Sequence, residues 1–200
     1  MLKVPVAGKV KTRLAQDIGT IRATFIYRHT LQILLRRVGY SRTWTTILAV
    51  SPDTEAATPI LPLNLERRIQ GRGSLGERLE RIFKSLSPKP VIIIGSDIPS
   101  ITYDDIAKAF HRLKGKSAII GPSHDGGYWL IGLRGQKQAA NLFQSVPWSS
   151  KTTLQRTLQN LLDFDVTIFT TLRDIDNKSD YEKLKHMIGQ SILSPFKKRI

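Results

Sequence analysis

The chain has 200 residues, 40% of them hydrophobic, which suits one domain of ordinary size with a buried core. It contains no cysteine, which excludes disulfides, thiolate metal sites and cysteine nucleophiles. Thirty-one Lys and Arg against sixteen Asp and Glu give +15, and residues 1–50, with nine bases and one acid, hold +8 of it, so an anionic partner or a solvated basic surface is implied.

The chain opens on Met1-Leu2-Lys3-Val4-Pro5, which no apolar stretch follows, so no signal peptide is expected. Gly8-Lys9-Val10-Lys11-Thr12-Arg13-Leu14 is a basic turn ahead of the first long helix. Its cations alternate, so an extended loop would put them on one side. Leu31, Leu34, Leu35 and Val38 then mark a helix, and Thr45–Val50 a strand. Pro52, Pro59 and Pro62 break up residues 51–64 into a surface connection. Leu65 to Gln70 carries three charges, unlike a buried first strand. Gly71-Arg72-Gly73-Ser74-Leu75-Gly76, although formally GxGxxG, is therefore better taken as a flexible turn touching a nucleotide than as a dinucleotide fingerprint.

Leu75, Leu79, Ile82, Phe83 and Leu86 form a helical stripe, Val91–Ile94 a buried strand, and Ile106, Ala109, Phe110 and Leu113 another helix. Strands follow at Ala118–Ile120 and Trp129–Leu133, a helix at Leu154, Leu158, Leu161 and Leu162, and a strand at Val166–Thr170. Strands alternating with helices predict an α/β domain with a mostly parallel sheet. The longest aliphatic run, Val91–Ile94, is far short of the roughly 18 residues of a membrane span. One cytoplasmic domain over residues 1–200, ending in a flexible basic tail over 190–200, is the expectation.

Four segments could carry chemistry. The glycine and cations of the first turn suit phosphate, although it is no Walker loop and could be merely basic. Asp97 follows the buried strand, where open α/β sheets bind ligands; it could hold Mg²⁺ or cap the next helix. Asp125-Gly126-Gly127-Tyr128 lies between strands as an acidic turn or a hairpin. Asp174-Ile175-Asp176 ends the last strand, with Asp176 or Asn177 as a possible cap of the final helix. Asp97, Asp125 and Asp176 each follow a strand and could converge at one sheet edge, where a divalent cation would neutralise them. The four histidines, His29, His111, His124 and His186, lack zinc spacing, and no G-x-S-x-G elbow supports a serine hydrolase.

In chain order, Lys3 to Leu14, Ser74-Leu75-Gly76-Glu77-Arg78-Leu79, Gly95-Ser96-Asp97-Ile98-Pro99, Gly121-Pro122, Asp125 to Leu133, Val146-Pro147-Trp148-Ser149 and Asp174-Ile175-Asp176 resemble one family. It is a bacterial glycosyltransferase family of the nucleotide-diphospho-sugar transferase superfamily, of the arsenosugar-biosynthesis-associated type. It is related to guanylyltransferases acting on 2-phospholactate or molybdopterin. The resemblance implies a three-layer α/β/α sandwich of the glycosyltransferase-A type. In this chain the first strand is expected to be missing or truncated, because only two residues precede Lys3. Departures at Ala7, Ser74 and Asn177 imply a diverged site.

By that resemblance Gly8, Lys9, Lys11, Thr12 and Arg13 bind nucleotide phosphates, while Leu75, Gly76, Arg78 and Ser96 complete the nucleotide site. Asp97 and Asp176 hold Mg²⁺ or Mn²⁺, and Gly126, Gly127 and Tyr128 face the acceptor. Lys11, Arg13, Asp97 and Asp125 form the catalytic set, with Asp125 as candidate general base. The first reading is glycosyl transfer from a nucleotide sugar to a small-molecule acceptor. The second is nucleotidylyl transfer from a nucleoside triphosphate to a phosphorylated small molecule, since three cations in five residues suit a triphosphate. A non-catalytic nucleic-acid binder is the remote alternative, because no helix-turn-helix, RRM or zinc-finger pattern accompanies the charge. No membrane partner is expected.

Overall fold

The computed structural model describes residues 1–86, 88–135 and 141–193. Residues 194–200 of the expected tail lie outside them. Seven strands, β1 (Leu2–Lys3), β2 (Ile47–Ser51), β3 (Glu66–Ile69), β4 (Val91–Ile94), β5 (Ala118–Pro122), β6 (Tyr128–Leu133) and β7 (Val166–Ile168), interleave with six α-helices. The helices are α1 (Thr12–Ile18), α2 (Thr20–Val38), α3 (Leu75–Leu86), α4 (Tyr103–Leu113), α5 (Thr153–Gln159) and α6 (Lys178–Leu193).

The strands form two ladders, β1-β2-β3 and β4-β6-β5-β7. Pairing is parallel within the first ladder and between β5 and β7; only β6 runs against its neighbours. The first strand is indeed a stub. It pairs only with Val50 and Ser51, at the carboxyl end of β2, while the Met1 ammonium donates to Ile94 O at 2.7 Å and so ties it to the end of β4.

Alternation across the sheet builds a core on each face. Ala118, Ile120, Ile131 and Leu133 pack against Leu79, Ile82 and Phe83 of α3. Ile119 and Leu130 point the other way, onto Leu34 of α2 and Ile106, Ala109 and Leu113 of α4. Helices thus cover both faces, the three-layer mixed α/β arrangement that the strand–helix alternation predicted. Each fully buried aliphatic side chain contributes about 1.5–3 kcal/mol. None of the described helices is long and apolar enough to cross a membrane.

The structure sharpens three local readings. Residues 66–69 are a strand despite their charges: it is an edge strand, paired only with β2. Behind it the buried Gln70 amide donates to Leu2 O and Ala49 O, both at 2.9 Å, stitching the ladder together. The Pro-rich 51–64 connection does run along the surface, and it is held there by the Arg67 guanidinium, which donates to the carbonyls of Ala56, Thr58, Leu61 and Pro62, and by buried Leu61. Lastly, the Leu154–Leu162 stripe stops at Gln159. The Asn160 amide turns away to Leu142 O and Gln144 O, leaving Leu161 buried and Leu162 80% exposed.

Candidate active site

Strands β4, β5 and β7 share one direction, and the loops after β1, β4 and β7 meet, as the contacts of Lys11 with Asp97 and Asp176 show. The loop after β1 carries the cations. Buried Val10 and Leu14 bracket Lys11, whose backbone adopts the left-handed conformation (φ 48°, ψ 44°) as α1 begins. That conformation costs an L-residue of order 1 kcal/mol, and here it turns the side chain inward. The Lys11 Nζ donates to Asp97 Oδ2 at 2.7 Å and Asp176 Oδ1 at 3.1 Å, and the side chain is only 8% exposed. The sequence expectation of three cations on one side fails. A turn and a helix replace the extended loop, so Lys9 stands in solvent and Arg13, 69% exposed, reaches Asp176 Oδ2 at 3.4 Å from outside.

Asp97 sits on a loop fixed from both sides. Ile98 and Ile101 are buried, and Arg37 of α2 donates to Pro99 O at 2.6 Å and Ile101 O at 3.4 Å. The helix-cap alternative for Asp97 is overturned: Thr102 caps α4, in a reciprocal box with Asp105. Ser96, beside it, bonds the Tyr27 hydroxyl at 2.9 Å. Since Tyr27 donates its proton to Lys3 O at 2.9 Å, Ser96 must be the donor. Tyr27 thereby locks the loops after β1 and β4 to each other.

The last loop supplies two acids. Ile175 is buried, and in extended chain its neighbours Asp174 and Asp176 project together. Asn177 accepts from Asp180 N at 3.0 Å and caps α6, while Asp180 receives Asp176 N, so Asp176 is free to face Lys11. One oxygen each from Asp97, Asp174 and Asp176 lie within 4.8 Å of one another. Asp174 thus joins the two aspartates that the resemblance implies as ligands, and the i, i+2 spacing of two acids at a strand end is the sequence signal for it.

Electrostatics follow from this crowding. Burial works against the charged forms of both Lys11 and Asp97, but each is more than compensated by the other. The lysine is held above its ordinary range, with help from Asp176, and the aspartate is held below its own. Asp174 gains no such partner. Burial, then the charges of Asp176, Asp97 and Asp125, push its carboxyl up to about 6. A pKa raised in the folded state makes stability fall as pH rises from the unfolded value near 4 through 6. Asp174→Asn should therefore stabilise the metal-free protein at pH 7.5 by about 1–2 kcal/mol, allowing for solvent screening, and leave it unchanged near pH 4. Urea melts at the two pH values check this.

The other predicted positions lie along the same edge. Asp125 is exposed and accepts from Gly127 N at 2.9 Å and from Ser123 Oγ, closing its own turn. Gly126 (φ 89°) leaves no room for a Cβ against the Lys151 backbone. Tyr128 lies largely buried beside Trp148. Gly76 is buried where a Cβ would meet Phe143 and Trp148, so packing accounts for it. Leu75 is exposed, and Arg78 braces Gly73 O at 3.0 Å and Ser51 Oγ at 3.4 Å. No hydrogen bond or ion pair among the described residues joins Leu75, Gly76 or Arg78 to the Asp–Lys cluster.

A family model described as an uncharacterized protein conserved in bacteria, DUF2064, matches residues 34–150. No curated protein matches the chain. Among solved structures, a Desulfovibrio desulfuricans G20 protein provisionally assigned as a nucleotide-diphospho-sugar transferase superposes with a TM-score of 0.82 at 24% identity, over 94% of both chains. The molybdopterin-guanine dinucleotide biosynthesis protein A of Archaeoglobus fulgidus gives 0.55 at 12% identity, over 80% of this chain and 86% of its own. A CMP:2-keto-3-deoxy-manno-octonic acid synthetase complexed with CTP gives 0.53 at 12%, over 83% and 88%. The likeness is one of fold, that of the nucleotide-diphospho-sugar transferases.

Proposed function

The chain belongs to the DUF2064 family of bacterial proteins, and from that premise we propose that it is a metal-dependent glycosyltransferase using a nucleotide-diphosphate sugar as donor. The observation that carries the proposal is the Lys11 ammonium clasped between Asp97 and Asp176 at the carboxyl edge of the sheet, with Asp174 alongside. Open α/β sheets bind ligands at this edge.

The donor set fits Mg²⁺ or Mn²⁺: three carboxylates within 4.8 Å offer hard oxygen ligands, and one buried ammonium leaves them with excess negative charge. Asp97 and Asp176, joined by Asp174, are the residues that would hold the ion. An ion held by these carboxylates would supply positive charge to stabilise a departing diphosphate. Around it, Lys11 provides a fixed ammonium, the exposed Lys9 faces solvent, and Arg13, held by a 3.4 Å contact to Asp176, is placed to turn to phosphate. Gly8, with φ 76° and open space where a Cβ would stand, lets the backbone approach the anion. Leu75, Gly76, Arg78 and Ser96 belong to the nucleotide half, and Gly126, Gly127 and Tyr128 to the acceptor half. Asp125, exposed at the edge, takes the proton of an acceptor hydroxyl as that oxygen bonds the sugar carbon and the nucleoside diphosphate leaves.

The resemblance to the arsenosugar-associated type, the single domain over 1–200 and the cytoplasmic location belong to the same proposal. A second reading, nucleotidylyl transfer, is favoured by Lys9, Lys11 and Arg13 standing within five residues, which suits a triphosphate. There a phosphorylated acceptor attacks the α-phosphorus and pyrophosphate leaves.

A thermal-shift panel of nucleoside triphosphates and nucleotide sugars, with and without Mg²⁺ or Mn²⁺, tests both. A metal-dependent shift with a nucleotide sugar, and its hydrolysis to nucleoside diphosphate, supports glycosyl transfer. Pyrophosphate release from a triphosphate plus a phosphorylated acid supports the alternative. No shift with any nucleotide overturns both.

A further inference from the structure

Away from the active-site cluster, the solvent face of α2 and the loop at 59–64 carry an unusual combination. Ile21, Arg22, Phe25, Arg28, Gln32 and Arg36, spaced by helical turns, are all exposed, and α2 contains no acid. Ile21 is 77% exposed and Phe25 60%. Beside Arg28, Gln32 and Arg36 lies the uncharged loop Pro59-Ile60-Leu61-Pro62-Leu63-Asn64, whose Leu63 is 81% exposed. Between helix and loop runs a cleft of about 510 Å³, with Leu31, Leu35 and Leu61 along it, Arg28 and Arg36 on the helix side, and no acidic residue in its lining.

We propose that this face docks the protein peripherally on an anionic phospholipid bilayer, with Arg28 and Arg36 meeting lipid phosphates and Ile21, Phe25 and Leu63 entering the interfacial layer. Isolated exposed apolar residues are ordinary, but these are grouped on one face with unpaired positive charge, and a bilayer interface satisfies both at once. Arg22 contributes less, since Glu182 of α6 lies in its field, although Glu182 also bonds Lys185. A second copy of this chain meeting the same face across a two-fold axis would set arginines against arginines. A nucleic acid would engage the arginines but leave Leu63 and Ile21 in water, and Phe25 already stacks on His29 with ring centroids 6.1 Å apart. The expectation of no membrane partner came from the lack of a spanning run, which bears on crossing a bilayer and not on resting against one.

The test is co-sedimentation with vesicles of phosphatidylcholine alone or with one-quarter phosphatidylglycerol. Wild type should partition onto the anionic vesicles only, and less so in about 0.5 M NaCl. Arg28→Gln/Arg36→Gln should lower partitioning about tenfold or more. Phe25→Ser/Leu63→Ser should weaken it while keeping the salt dependence. Lys108→Gln/Lys114→Gln, the same charge change on exposed positions of α4 and its C-cap, should bind as wild type does. All these positions are at the surface, so the variants should keep the wild-type melting temperature.

The inference is overturned if wild type ignores anionic vesicles, or if the α4 control loses binding equally, which would make it a matter of net charge alone. It is also overturned if Arg28→Gln/Arg36→Gln abolishes binding to RNA or DNA while vesicles are not bound. Self-association that Phe25→Ser/Leu63→Ser removes, without vesicle binding, overturns it in favour of a second copy.

Discussion

Lys11→Met should lower the stability of the metal-free protein by about 3 kcal/mol at pH 7, and its melting temperature by roughly 6–12 °C. The lysine is the buried counter-ion of two carboxylates, at 2.7 and 3.1 Å, and methionine keeps the volume while removing the charge. Breaking a buried pair from one side costs about 3–5 kcal/mol; the carboxylates here are about one-third exposed, which places the effect at the lower end. The sign with pH is fixed by Asp97. Its folded pKa is depressed, so the stability it contributes is present above the unfolded value and lost as pH falls through the folded one. Wild type and variant should therefore keep their difference down to the unfolded carboxylate value, near 4, and converge only as pH falls below it through the depressed folded value. Millimolar Mn²⁺ should restore more of the lost melting temperature in Lys11→Met than it adds to wild type, because the cation then meets three carboxylates with no ammonium among them. A stability loss unchanged from pH 7 down to the lowest pH at which wild type stays folded, and untouched by Mn²⁺, would remove Lys11 from the role of counter-ion.

What the sequence disclosed and what it withheld differ in physical kind. The strand at 118 is buried on both faces, and Val91–Ile94 is half-buried at the end of its ladder, with Ile93 on one core and Ile92 and Ile94 against the other, so packing writes both into aliphatic runs. The edge strand at Glu66–Ile69 is written in charges instead. Its formation depends on pairing with β2 and on Gln70, which are long-range facts. The same division holds at the site. Asp97 was legible because position after a buried strand is itself a signal. Lys11 and Arg13 look equivalent in sequence, yet one left-handed residue at the start of α1 sends the first inward and leaves the second in solvent. Asp174 was passed over because only one acid of its pair was sought, although extended chain returns to the same side every second residue.

Asp97→Asn separates the metal-ligand role from a structural one. The asparagine can still accept the Lys11 proton through its carbonyl, and Asp176 keeps its own ion pair, so the metal-free protein should lose only about 1–2 kcal/mol. Helix α4 should be unaffected, since Thr102 and Asp105 cap it without Asp97. Metal-dependent nucleotide binding should fall about a hundredfold or more, because the amide offers neither the charge nor the oxygen basicity that a divalent cation requires. The two effects can be read in one experiment, by melting the variant with no additive, with a nucleotide alone, and with nucleotide plus Mg²⁺. The expected pattern is a small drop in the first arm and near-complete loss of the extra shift in the third. A variant that melts far below wild type in the first arm, yet keeps the Mg²⁺-dependent shift, would make Asp97 a structural partner of Lys11 and move the metal elsewhere on the sheet edge.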